Sequence, residues 1–105
     1  MESFTFRHTT QRPLAGTKVQ AITGVVASGN LEVLLERVLP PDQCTIEIAT
    51  PVVGYGDVWE AVAADFVART QPGGLRIAIN DGGARPDTVS LRLAQGVRLI
   101  EEPEA

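Results

Sequence analysis

Gly24-Val25-Val26-Ala27-Ser28-Gly29-Asn30-Leu31-Glu32-Val33-Leu34-Leu35-Glu36 joins two apolar, β-type runs through a polar Ser-Gly-Asn. Val19 to Ala27, upstream, is rich in small and β-branched residues. Leu31 to Leu39, downstream, is interrupted by Glu32, Glu36 and Arg37. Gly-Asn between two such runs predicts a two-residue hairpin turn, because glycine adopts the positive φ that primed turns need. In that arrangement Ser28 pairs with Leu31 at the tip and its hydroxyl is open to another protein. Serine is also a common turn residue that merely bonds its neighbouring backbone, and on residue chemistry alone that is the more frequent role.

Working outward, Ser3 to His8 alternates, with Phe4 and Phe6 on one side and Thr5 and Arg7 on the other, which predicts a half-buried strand. Gln11 to Gly16 is a loop marked by Pro13 and Gly16. Lys18–Ala27 and Leu31–Leu39 form the hairpin, and Pro40-Pro41-Asp42 breaks it, since proline cannot donate to a ladder. Thr45 to Thr50 alternates again, so the first half reads as an antiparallel meander. Beyond the connection Pro51–Gly56, Asp57 stands as a helix cap with Glu60 three positions on. Trp59, Val62, Ala63, Phe66 and Val67 share one helical face, with Trp59 and Phe66 as core anchors, and Asp65 and Arg69 pair at i,i+4 on another. Pro72-Gly73-Gly74 ends this helix, and Leu75, Ile77 and Ile79 mark a further strand.

The last segment follows the loop Asn80-Asp81-Gly82-Gly83-Ala84-Arg85-Pro86, with Asp87 as the expected cap. Val89, Leu93, Gly96, Val97 and Ile100 fall at helical spacing. Residues 88–93 also fit a strand, through Val89, Leu91 and Leu93, and Gly96 costs a helix about 1 kcal/mol relative to alanine. Helix is the preferred reading, because the apolar spacing holds to the end of the segment, where Pro103 closes it. The predicted order β-β-β-β-α-β-α defines an α+β class: a mostly antiparallel sheet with two helices packed on one face, as a single domain over 1–105.

With 105 residues and a formal charge of −4, the chain is an ordinary acidic globular sequence. That balance argues against nucleic-acid partners and anionic membrane surfaces. Near the N-terminus Arg7, His8 and Arg12 interrupt any secretory apolar core, and no run reaches membrane length. Cys44 is the single cysteine, so no internal disulfide forms and a cytoplasmic setting is the default. No catalytic constellation is expected. His8 is the only histidine, and a Ser-His or Cys-His pair would need it to reach across the fold. Metal ligands are lacking too. Glu32 and Glu36, four apart on a strand, share a face that is solvated or turned to a partner. The loop Asp81-Gly82-Gly83-Ala84-Arg85-Pro86 leads into a helix start, where backbone N–H groups and Arg85 suit an anion. The ordinary reading is a glycine-rich turn; the sharper one places Gly82-Gly83 near a phosphate carried by the protein.

The run Ala27-Ser28-Gly29-Asn30-Leu31-Glu32-Val33-Leu34-Leu35-Glu36 resembles the modification site of the malonate decarboxylase acyl carrier protein (delta subunit) family, whose pattern is close to Gly-Ser-Gly-Asp-Leu-Glu-Val-Leu-Leu-Glu. Asp81 to Pro86 and Leu91 to Gln95 are similar to the family's C-terminal region. Ala27 and Asn30 depart from the motif, where glycine and aspartate are usual. Asn30 removes a negative charge beside Ser28 but leaves the hydroxyl. The resemblance implies a non-catalytic carrier whose serine, here Ser28, holds a 2'-(5''-phosphoribosyl)-3'-dephospho-CoA group by a phosphodiester and carries acetyl and malonyl as thioesters. It also implies the partners: the acyltransferase and decarboxylase subunits of the complex, a prosthetic-group transferase and a malonyl transferase. Glu32 and Glu36 would then meet basic rims on such partners. A carrier like the citrate lyase gamma subunit and an unmodified structural subunit are the alternatives.

Overall fold

Period-two alternation places Leu31, Val33 and Leu35, Cys44, Ile46 and Ile48, and Leu75, Ile77 and Ile79 on one side of a sheet, and all nine are buried. Each fully buried branched side chain contributes about 2 kcal/mol. In the computed structural model, which describes residues 1–103, the elements are β1 (Glu2–Thr9), β2 (Gln20–Gly24), β3 (Leu31–Arg37), β4 (Gln43–Thr50), α1 (Gly56–Thr70), β5 (Leu75–Asp81) and α2 (Pro86–Glu101). The α+β class and the order of elements are those expected.

The strand partners differ from the expected meander. The sheet order is β1-β4-β5-β3-β2. β1 pairs with β4 and β2 with β3, while β5 lies between β4 and β3, antiparallel to β3 and parallel to β4. The reason is burial. β5 carries Leu75, Ile77 and Ile79 toward the core and Ala78 on the reverse, so it gains from a neighbour on each side. β1 and β2 display Thr5, Arg7 and Gln20 outward and suit edges. The α1 crossover returns the chain to run parallel beside β4. Three of the four pairings remain antiparallel.

Both helices cover the same face. Trp59, Ala63, Phe66 and Val67 of α1, and Val89, Leu93, Gly96, Val97 and Ile100 of α2, are buried, which resolves 88–93 as helix. Gly96 lies where a Cβ would meet Leu35 Cδ1 at 2.5 Å, so its helix-propensity cost buys close helix–sheet contact. Neither expected aspartate cap is formed. Tyr55 and Arg85 are the N-cap residues, neither making a side-chain cap bond, and Asp57 and Asp87 sit inside the first turns. There they face the positive end of the helix dipole without closing it.

The opposite face is bare. Across it run Thr5, Glu47, Ala78, Leu34 and Ile22 in one register row, and Arg7, Thr45, Arg76, Glu36 and Gln20 in the next. Arg76 donates to both Glu47 oxygens (3.0 and 2.6 Å) and to Glu36 (2.7 Å). The Glu47 bonds first, then Glu36, hold the guanidinium above its ordinary pKa.

Candidate functional site

Ser28 lies in a six-residue connection, 25–30, and not in a two-residue turn: the β2–β3 ladder ends at Gly24↔Glu32. Val25 and Val26 leave the ladder and are more than half exposed. Their β-branched character mimicked strand in the sequence. The Asn30 N–H donates to the Ala27 carbonyl (2.9 Å), closing a turn with Ser28 and Gly29 at its centre. Gly29 has φ +75°, as the third position of a type II turn requires. Ser28 is exposed at the second position.

The turn is not free-standing. Gly29 N–H donates to the Gly82 carbonyl (3.0 Å), and Gly82 N–H donates to the Asn30 carbonyl (2.8 Å). A Cβ on Gly82 would sit 2.1 Å from the Ala27 carbonyl oxygen, so only glycine permits this approach. The structure therefore brings the Gly82-Gly83 loop against the Ser28 turn. Asp81, buried, anchors that loop: its Oδ1 accepts Ala84 N–H (2.9 Å) and its Oδ2 accepts the Thr50 hydroxyl (2.8 Å). From the other side, Asn30 Oδ1 accepts Arg92 Nε–H (3.2 Å) and the Leu31 N–H (2.8 Å). The Thr23 hydroxyl donates to the Arg92 carbonyl (3.2 Å), tying β2 to α2. Sequence reading missed Arg92 and Thr23. Their partners lie 62 and 69 residues away, and no local pattern marks them.

Beside this loop lies a pocket of about 370 Å³, lined by Val52, Tyr55, Val58 and Trp59 on one side and by Gly83 to Pro86 and Val89 on the other. Arg85 stands at its edge, exposed, with Nε 3.7 Å from Asp87. The loops after β4 and β5 both open at this end of the sheet, the carboxyl end of the parallel pair.

The remaining candidates lie elsewhere. His8 and Cys44 are register partners on β1 and β4, so the expectation that a Cys-His pair would span the fold is corrected. The pair is unreactive all the same: Cys44 is buried, and burial pushes its thiol up to about 12. Among the described residues His8 Nε2 has no hydrogen-bond partner. From Ser28, His8 is at the far end of the far edge strand, on the order of 20 Å across the strand spacing. Ser28 thus has no histidine base within reach on this chain. Glu32 and Glu36 do share the bare face. Glu36 is neutralised by Arg76, and among the described residues Glu32 meets only Asn80 Nδ2 (3.4 Å).

Fold and site together define a scaffold that displays a serine on a braced turn. The family described as malonate decarboxylase delta subunit (MdcD) matches residues 18–100. The malonate decarboxylase acyl carrier protein of Bradyrhizobium diazoefficiens is 62% identical over 102 residues, 97% of each chain. That of Xanthomonas euvesicatoria pv. vesicatoria is 46% identical over the full length of both. A chain in the crystal structure of a Pseudomonas malonate decarboxylase hetero-tetramer in complex with malonate superposes with a TM-score of 0.83 at 37% identity, covering 95% of this chain and 99% of that one. This chain belongs to the malonate decarboxylase acyl carrier protein family.

Proposed function

We propose that this chain is a single-domain carrier subunit of a cytoplasmic malonate decarboxylase complex, itself non-catalytic, with 2'-(5''-phosphoribosyl)-3'-dephospho-CoA joined by a phosphodiester to Ser28 Oγ. One observation carries the reading: Ser28 is exposed at the centre of a turn braced by backbone bonds to Gly82 on one side and by the Asn30–Arg92 contact on the other. The residues fit such a group. The turn leaves the hydroxyl clear, and the adjoining Gly82-Gly83 loop and Arg85 form a polar, cation-bearing flank. When bound, the group supplies a thiol on which acyl units travel as thioesters. The protein's part is to fix one end of the arm and so keep the acyl unit at high effective concentration near its partners.

Lacking a nearby histidine, Ser28 depends on a separate prosthetic-group transferase for activation. Acyltransferase, decarboxylase and malonyl transferase partners then approach the same end of the sheet. The test is intact mass and peptide mapping of the protein from its native host growing on malonate. A phosphoribosyl-dephospho-CoA increment on the Ser28 peptide, lost in Ser28→Ala, is expected. Unmodified Ser28 in those cells would leave a structural subunit in its place.

A further inference from the structure

The pocket beside the Gly82-Gly83 loop has features that neither the core nor the Ser28 turn requires. Tyr55 and Val58 remain 54% and 43% exposed at its rim, and Val52 is partly exposed too. Apolar side chains exposed around a concavity mark a ligand groove or a contact surface. Its volume falls at the small end of ligand sites and is of the size that takes one ring system. Its wall is continuous with the attachment site. Gly83, in the lining, follows Gly82, whose N–H and carbonyl both bond the Ser28 turn. Arg85, also in the lining, offers an exposed guanidinium for a phosphate.

Resting on the Ser28 attachment proposed above, we infer that this pocket seats the adenosine portion of the arm, with the base against Tyr55 and Val58 and Arg85 toward the phosphates. The order of groups along the arm favours this occupant. The nucleoside is the part near Ser28, whereas the thiol must stay free to reach several partners. An aromatic rim suits a flat base, since stacked rings attract beyond what area burial alone gives. Seating the near half also shortens the mobile tether, which raises the effective concentration of the thiol around this end of the protein.

The experiment compares 15N-labelled apo and modified protein, with the modification first established by mass on the Ser28 peptide. Trp59, the only tryptophan, lines the pocket and reports through its indole N–H. Attachment is expected to move the Trp59 indole and the Val58 and Val89 amides, and Tyr55→Ala, an exposed position that leaves the core intact, to return them toward their apo positions. Shifts confined to residues 25–30 and 82–83 in fully modified protein would overturn the inference and leave the carrier reading standing. Pocket shifts that appear only when the thiol is acetylated would also overturn it, because the acyl end would then be the occupant. A Ser28 peptide without added mass removes both readings.

Discussion

At one end of the sheet the loops 25–30, 51–55 and 82–85 meet through main-chain bonds and one buried carboxylate, and their apolar side chains face outward. At the other end a single side chain gathers the chain inward. Arg37 donates to the carbonyls of Leu14 (2.7 Å), Lys18 (2.9 Å), Ala15 (3.1 Å) and Ile100 (3.2 Å). It thereby fastens the β1–β2 connection and the end of α2, and Leu14 is buried beneath it. Gln71 adds a further tie, its Oε1 accepting the Gln11 N–H (2.8 Å). The contrast separates two tasks. A loop fastened by a long side chain commits that side chain to structure. A loop fastened by backbone leaves Ser28, Val25, Val26 and Tyr55 available to other molecules.

Arg37→Met gives the largest effect. It keeps the apolar stem and leaves four carbonyls without their charged donor, a loss of about 3 kcal/mol in urea unfolding. Modification of Ser28 should proceed at the parent's rate in folded protein, because the site lies at the other end. A parallel loss of modification would show that the two ends are coupled.

Gly82→Ala probes the display end. Its Cβ forces the loop away from the Ala27 carbonyl, with an expected cost of about 2 kcal/mol. Here the stability loss should come with slowed attachment at Ser28, measured by mass against time with the modifying enzyme. Parent-like attachment would mean that the brace serves stability alone.

Cys44, at the start of β4, supplies a pH test. Burial raises its thiol from 9.0 to about 12, so the folded state keeps a proton that the unfolded chain releases above pH 9. The contribution is complete below pH 9 and is lost as pH rises toward 12. Between pH 9 and 10 the unfolding free energy should begin to fall, approaching a slope of about 1.4 kcal/mol per pH unit. Cys44→Val should abolish that part of the slope.

Periodicity carried most of the fold into the sequence. Ile46 and Ile48, Ile77 and Ile79, and the α2 face from Val89 to Ile100 all turned inward as spaced. Strand order was not legible, since whether β5 lies beside β4 or β3 depends on burial summed over partners far apart in sequence. The site was half legible. Ser28 and the Gly82-Gly83 pair carried visible turn chemistry, but their juxtaposition comes from β3 starting opposite the end of β5, at Leu31↔Asp81. Arg37 looked like an interruption of an apolar run, because its carbonyl partners lie up to 63 residues away.

Asn30→Asp is the smallest perturbation and the sharpest for the display end. It puts a carboxylate on a side chain that links the turn to α2. The bond from the charged Arg92 Nε–H to the neutral Asn30 Oδ1, 3.2 Å apart, becomes an ion pair in a half-exposed setting. Such pairs contribute roughly 0.5 kcal/mol, and the gain should fade with added salt. Because Oδ1 also accepts the Leu31 N–H, the turn geometry is kept. Stability should therefore rise slightly while the rate of Ser28 modification changes through charge alone. A rate difference that disappears at high ionic strength locates recognition in the field around Ser28, and one that persists locates it in the shape of the turn.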